Sequence, residues 1–141
     1  MRERAPSSPR CLSVVVPVRD EEASLEALLL ELDAALSGFA AARDMALEWV
    51  LVDDASRDES LARMRAWQRK DDRLRIVALA GHGGQARALD AGFRAARGDV
   101  IATLDADGQN DPRDLPRLLE ALDGADVVCG VRAERRDDWL R

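Results

Sequence analysis

The residues best suited to chemistry in this 141-residue chain are acids that follow short apolar runs. Asp105-Ala106-Asp107 follows VIATL, Asp53-Asp54 follows LEWVLV, and Asp20-Glu21-Glu22 follows LSVVVPVR. Side chains alternate along an extended segment, so Asp105 and Asp107 project to the same side. Taken singly, each acid is a solvated loop start or a helix cap. Taken together they pose a charge problem, because carboxylates gathered without bases repel one another unless a cation sits between them. A magnesium-like ion takes one or two protein carboxylates and fills its other positions with water and substrate phosphates. The pattern therefore points to a divalent cation and a diphosphate at one acidic rim.

A rim needs elements that bring it together. Residues 12–16 (LSVVV), 47–52, 74–79, 100–104 and 125–131 (ADVVCGV) are short apolar runs, and they predict five strands. They are apolar on both faces, as parallel strands covered by helices on each side are. Between them run stripes at helical spacing: Leu25, Leu28, Leu29, Leu32 and Leu36, then Leu61, Met64 and Trp67. Ala86, Leu89, Phe93 and Ala96 make a third stripe, and Leu115, Leu118, Leu119 and Leu122 a fourth. Ser56 with Glu59 reads as a capping box. Asp114 before Pro116 reads as a helix start, and Gly38 and Gly98 read as stops. The order βαβαβαβαβ predicts right-handed crossovers and an open doubly wound sheet, with helices on both faces. Ligands of such sheets bind beyond the carboxyl ends of the strands, where the acids stand.

Composition narrows the partners. The formal net charge of -6 argues against nucleic acid, whose binding is driven by a basic face. Lys70 is the sole lysine beside abundant arginine and alanine, which fits a GC-rich genome better than a binding surface. Cys11 and Cys129 have neither disulfide-framework nor zinc spacing. No run approaches the roughly 20 apolar residues of a bilayer span, and the N-terminus lacks the apolar core of a signal peptide. These features predict a cytoplasmic protein. Residues 1–10 carry prolines, serines and arginines with nothing to bury, and are expected to be a disordered leader to a domain over 11–141.

In the segments VVVPVRDEEASL, VLVDDASRDES, GGQARALDAGFRAARGDVIATLDADGQNDPRDLPRLL and GVRAERRDDWL the chain resembles family-two glycosyltransferases. The resemblance is to the polyprenyl-phosphate sugar transferase branch, with the undecaprenyl-phosphate enzymes nearest. It runs from residue 12 to 141 with the motifs in order. It implies the nucleotide-binding half of a Rossmann-like GT-A fold and a UDP- or GDP-sugar donor. It also implies Mg2+ or Mn2+ as cofactor and a polyprenyl phosphate (undecaprenyl or dolichyl) as acceptor. By that resemblance Pro17, Arg19 and Glu21 line the nucleotide pocket, Val52, Asp53 and Asp54 lie beside the base, and Asp105, Ala106 and Asp107 hold ribose, diphosphate and metal. Asp107, Gln109 and Asp105 are the implied metal ligands. Arg132 is implied as a contact to the diphosphate or the acceptor phosphate, and is counted catalytic with Asp105 and Asp107.

The chain departs from the family pattern at Arg19, where an aromatic residue is usual, and at Asp20 and His82, where Asn is usual. It also has Ala55 in place of Gly, and Gly108 in place of an apolar residue, which is expected to loosen the loop carrying Gln109. His82, the only histidine, reads as an exposed turn residue and not as a general base. The implied reaction is attack of an acceptor phosphate on the anomeric carbon with inversion. Acceptor-binding and membrane-associated parts are expected to lie beyond this segment, and the Arg135, Arg136 and Trp139 ending resembles the start of a membrane-surface helix. Peripheral membrane contact, or pairing with a membrane subunit, is the expected association.

Three other classes compete. A truncated, non-catalytic nucleotide-sugar-binding module fits the odd residues Arg19 and Gly108. A phospho-receiver domain needs a lysine after a late strand, whereas Lys70 lies in a helical segment. An NAD-dependent oxidoreductase needs a glycine fingerprint in the first βα turn, where Pro17-Val18-Arg19-Asp20 stands.

Overall fold

The computed structural model describes residues 11–131, so the expected leader and Arg132 lie outside the described residues. Strands β1 (Cys11–Val18), β2 (Ala46–Asp53), β3 (Leu74–Ala78) and β4 (Val100–Thr103) form one parallel sheet in the order β3-β2-β1-β4. Helices α1 (Leu25–Ala41), α2 (Ser60–Gln68), α3 (Gln85–Ala95) and α4 (Leu115–Ala121) connect and follow them, α4 entered through a 3₁₀ turn at Pro112–Asp114.

Period-two alternation divides the apolar strands between two cores. Leu12, Val14, Val16 and Val18 join Trp49 and Leu51 against the leucine stripe of α1, Met64 of α2 and Leu115 at the start of α4. Val15, Val50 and Val52 face the other way, onto Ala88 of α3. Helices thus cover both faces. Burying each such Val or Leu contributes about 1.5–3 kcal/mol, which is why a sheet of this kind reads as apolar on both sides.

β1 runs through Pro17 to Val18, two residues beyond the strand expected over 12–16. The carbonyl of Val15 accepts from Leu104 on the β4 side, and that of Val18 accepts from Asp54 on the β2 side. Pro17 shares the orientation of Val15 and faces the β4 side beyond the last paired residue, Thr103. Its missing N–H therefore costs no ladder bond.

Four other expectations are corrected. Residues 125–131 form no strand; Val127 and Val131 are exposed and no described strand pairs with the segment. A β-branched run without a neighbour to complete its ladder has no reason to stay extended. Gly38 lies inside α1, which continues to Ala41. The capping box is not formed, because α2 begins at Ser60 and the Ser56 hydroxyl accepts from Asp20 N at 3.0 Å. Asp58 takes the capping role, accepting from Ser60 N at 2.9 Å. Finally, the α3 stripe holds only in part: Leu89 and Ala96 pack against the sheet beside the buried Ala88 and Gly92, whereas Phe93 is 45% exposed and Ala86 lies at the surface. A Cβ on Gly92 would stand 2.3 Å from Val15 Cγ1, so the helix lies too close to the sheet for a larger residue there.

Candidate functional site

The strand order places β2 and β3 on one side of β1 and β4 on the other. The chain thus reverses direction across the sheet between β1 and β4, and the loops leaving these two strands part to open a crevice at their carboxyl ends. A cavity of about 300 Å³ lies there. Pro17, Arg19 and Glu21 from the first loop line it with Asp54, His82, Gln85 and the Asp105-Ala106-Asp107 segment. A wider groove of about 430 Å³ lies between α1 and α2 around Leu29, Asp33, Trp67 and Arg73. There the Arg73 guanidinium is already committed to Asp33 and Asp71. We take the rim cavity as the site because its polar groups converge on open space.

The acidic rim is only partly a ligand surface. Asp20 Oδ1 accepts from Arg57 N at 2.6 Å and Asp58 N at 3.2 Å, and Glu22 Oε2 accepts from Glu59 N at 2.9 Å. In return Asp58 Oδ2 accepts from Glu22 N, and Ser60 Oγ accepts from Glu21 N. These acids lace the loop after β1 to the loop after β2. Their negative charge is met by backbone N–H groups, so no cation is required among them. Asp53 is 2% exposed, and its carboxylate accepts from Ser56 N at 3.3 and 3.4 Å. Val52 is buried beneath the cavity against α3. Neither Val52 nor Asp53 lines the cavity.

Asp54 has a defined environment. Its carboxylate accepts from Gly83 N at 2.7 Å and Gly84 N at 3.0 Å, and its Oδ2 lies 2.5 Å from His82 Nδ1. Burial pushes the Asp54 carboxyl up, but the Gly83 and Gly84 donors and His82 outweigh it and hold the pKa below the ordinary value. Asp54 is therefore an ionised anchor for the turn before α3. Arg19 Nη1 donates to the carbonyls of Asp54 (2.6 Å) and Ala55 (3.1 Å), which ties the first loop to the same point.

On the opposite wall, Asp105 N donates to Asn110 Oδ1 at 3.1 Å and Gln109 N donates to Asp107 Oδ1 at 3.0 Å. Gly108 supplies the turn between them at φ 77°. It thus shapes the loop that it was expected to loosen, since a left-handed residue is what lets the chain fold back here. Gln85 Nε2 donates to Asp105 Oδ1 at 2.9 Å. The Ser24 hydroxyl lies 2.7 Å from Ala106 O and 2.9 Å from Glu21 Oε2, joining the two walls. Of the implied metal ligands, Asp105 and Asp107 line the cavity and Gln109 does not. Among the described residues no three His, Cys, Asp or Glu side chains are grouped as a ready cation cage. Two carboxylates, one with an oxygen held by Gln85 of α3 and the other with an oxygen held by Gln109 N, suit an ion whose remaining ligands come from phosphate and water.

His82 and Gln85 were not assigned to the site from the sequence. The available signal was their place in the turn after β3, at the same rim as the acids. Residue type alone did not carry it.

A parallel α/β sheet with a cavity at this rim defines an architecture of the doubly wound class. The chain belongs to glycosyl transferase family 2, whose profile it matches over residues 13–141. It is 45% identical over 133 residues to the undecaprenyl-phosphate 4-deoxy-4-formamido-L-arabinose transferase of Pseudomonas aeruginosa (strain LESB58), covering 92% of this chain and 38% of that protein. The same enzyme of Edwardsiella ictaluri is 45% identical over 132 residues, at 92% and 39% coverage. The chain thus spans under two-fifths of the length of these relatives. Among solved structures, a mannosyltransferase from Pyrobaculum calidifontis in complex with GDP-Man and Mn2+ superposes with a TM-score of 0.69 at 28% identity, covering 83% of this chain and 33% of that one. Staphylococcus aureus TarS 1–349 with UDP-GlcNAc shares the fold at TM-score 0.63 and 23% identity, covering 80% of this chain and 31% of that one. The GT-A architecture expected from the sequence is the one observed. Among the described residues, no helix is long and apolar enough to cross a membrane.

Proposed function

We propose that this domain binds a nucleoside-diphospho-sugar and a divalent cation in the rim cavity, for inverting transfer of the sugar to a polyprenyl phosphate at the cytoplasmic face of the membrane. The observation that carries the proposal is the convergence of Pro17, Arg19, Glu21, Asp54, Asp105, Ala106 and Asp107 on one cavity at the β1/β4 crossover, in a chain of family 2. The named relatives act on undecaprenyl phosphate, and the Pyrobaculum enzyme holds a nucleotide sugar with Mn2+.

In this reading Pro17, Arg19 and Glu21 form the nucleotide wall. Val52 and Asp53 support it from beneath, and Asp54 holds the Gly83-Gly84 turn in place. Asp107 and Asp105, which line the cavity, would hold the cation, Mg2+ or Mn2+, with Gln109 of the same loop as the expected further ligand; Arg132 would meet the diphosphate or the acceptor phosphate. The cation supplies charge neutralisation to the departing diphosphate. The acceptor phosphate, whose second pKa is about 6, is already ionised at neutral pH, so the site needs no strong general base. Its oxygen forms the new bond to the anomeric carbon as the bond to the nucleoside diphosphate breaks on the opposite side. The task of the domain is to position donor and charge.

Calorimetric titration with UDP and with GDP, each with and without Mn2+, tests the site. One diphosphate is expected to bind in a metal-dependent way, and Asp107→Ala to weaken it by about tenfold or more, the usual scale for losing a charged contact. Binding that ignores both metal and substitution would overturn the assignment of Asp107. Binding with no sugar transfer, even with acceptor and membranes supplied, would favour a non-catalytic donor-binding module.

A further inference from the structure

The cavity is poor in positive charge for a site that receives a diphosphate. Glu21, Asp54, Asp105 and Asp107 line it against Arg19 alone among formal cations, and Arg19 Nη1 is occupied by the carbonyls of Asp54 and Ala55. His82 is the other side chain on this wall able to carry a positive charge. Its Nδ1 is held on the Asp54 carboxylate, and its side chain is 58% exposed. An ionised carboxylate can only accept, so Nδ1 carries the proton of this hydrogen bond. Nε2, at the far edge of the ring, has no protein partner among the described residues. The turn that carries it is fixed as well, since Gly83 N and Gly84 N donate to the same carboxylate.

We propose that His82 is a phosphate-contacting residue of the donor site, Asp54 holding its Nδ1–H while a protonated Nε2–H donates to the diphosphate. The inference rests on the donor-site reading above and adds a specific contact to it. An imidazole held through Nδ1 is oriented in the manner of other working histidines, with its second nitrogen set by the bond the first one makes. The charged groups that share the wall are Asp54 at the end of β2, Arg19 and Glu21 after β1, and Asp105 and Asp107 after β4. Arg87 of α3 lies across Gly83. The carboxylates in this set oppose an incoming phosphate, which makes a donor at Nε2 valuable to it.

Because His82 is the only histidine in the chain, imidazole 15N shifts in a tag-free, histidine-labelled protein report on this residue alone. The expected result is a protonated Nδ1 in the free protein and a rise in the titration midpoint when UDP or GDP binds with Mg2+. His82→Asn should weaken the diphosphate that binds by about three- to tenfold, the scale of a partly exposed charged hydrogen bond. The same variant should bind the parent nucleoside, uridine or guanosine, as the unsubstituted protein does. A midpoint that stays fixed or falls on diphosphate binding overturns the inference while leaving the donor site standing, and so does an equal loss of nucleoside and diphosphate affinity. If neither diphosphate binds, the donor-site reading falls and this contact falls with it. The titration uses the unsubstituted protein, so its outcome does not depend on how the variant folds.

Discussion

Ala55 holds φ at 57°, in the left-handed region, at the point where the chain leaves β2 and turns beneath Arg19. For an L-residue with a Cβ that conformation costs roughly 1–2 kcal/mol, and a glycine would avoid it at an entropic cost of about 0.5–1 kcal/mol. Ala55→Gly is therefore expected to stabilise the domain by about 0.5–1 kcal/mol, read as a higher urea midpoint; a lower midpoint would show that Ala55 is not strained. Asp20, also at positive φ (51°), is better placed, since an Asp tolerates the left-handed region and its carboxylate collects Arg57 N and Asp58 N. These two residues show what was legible at this scale. The positions of the acids at strand ends could be read from spacing, and so could the cavity that Asp105 and Asp107 share. Which acids face a ligand could not, because Asp20, Glu22 and Asp58 resemble ligand carboxylates until the backbone donors of the neighbouring loop are seen to occupy them. The pairing of His82 with Asp54 joins residues 28 apart, and only the packed sheet brings them together.

At the scale of the element, apolar runs predicted four of the five expected strands to within a residue or two, because burial on both faces leaves an unmistakable pattern in a parallel sheet. The run at 125–131 has the same composition and no neighbouring strand among the described residues, so composition misled where pairing decides. The stripe of α3 misled for a different reason. Leu89 and Ala96 of the expected stripe pack on the sheet, but Ala86 and Phe93 do not, and the closest contact is made by the small residues Ala88 and Gly92, which let the helix approach Val15 and Val52. α3 also begins at Gln85, which reaches Asp105, immediately after the turn held by Asp54. Gly92→Val is thus expected to act on both stability and site. Its added volume has no space against Val15, and overpacking of this kind costs about 1–3 kcal/mol; the helix shift that relieves it moves Gln85 and the Gly83-Gly84 turn. Urea unfolding and nucleotide titration on one preparation check the prediction. A variant as stable as the parent would mean that α3 can lift off the sheet freely. Loss of stability with unchanged nucleotide affinity would separate the helix from the site.

For the molecule as a whole, acid stability is the property that its ion pairs govern. Arg73, beside the start of β3, binds Asp71 through Nε (2.9 Å) and Nη2 (2.8 Å) and reaches Asp33 of α1 at 2.8 Å, with its guanidinium 5.2 Å from the Trp49 ring. Hydrogen bonding from Arg73, against the opposing effect of burial, holds the Asp71 carboxyl below its ordinary value. Ser37 first and Arg73 second do the same for Asp33. Asp54, at the other end of the sheet, is lowered against its burial by the Gly83 and Gly84 donors and His82. A carboxyl whose pKa is depressed on folding contributes stability that is complete above its unfolded value, about 3.9 for Asp, and is lost as pH falls through the folded one. Stability contributed by these groups is accordingly expected to be flat from neutral pH down to about 5 and to fall below about 4. Asp71→Asn should cost about 1 kcal/mol at pH 7, a figure reduced for the solvent around the partly exposed Arg73. The difference between variant and parent should shrink as pH drops below 4, because the carboxyl then takes up a proton first in the unfolded chain and, at lower pH, in the folded one. Urea midpoints at pH 7, 5, 4 and 3 measure this directly. A difference that stayed constant across the series would mean that Asp71 acts through shape and neutral hydrogen bonding. One that closed below pH 4 would assign it to the charge that joins β3 to α1 and the sheet.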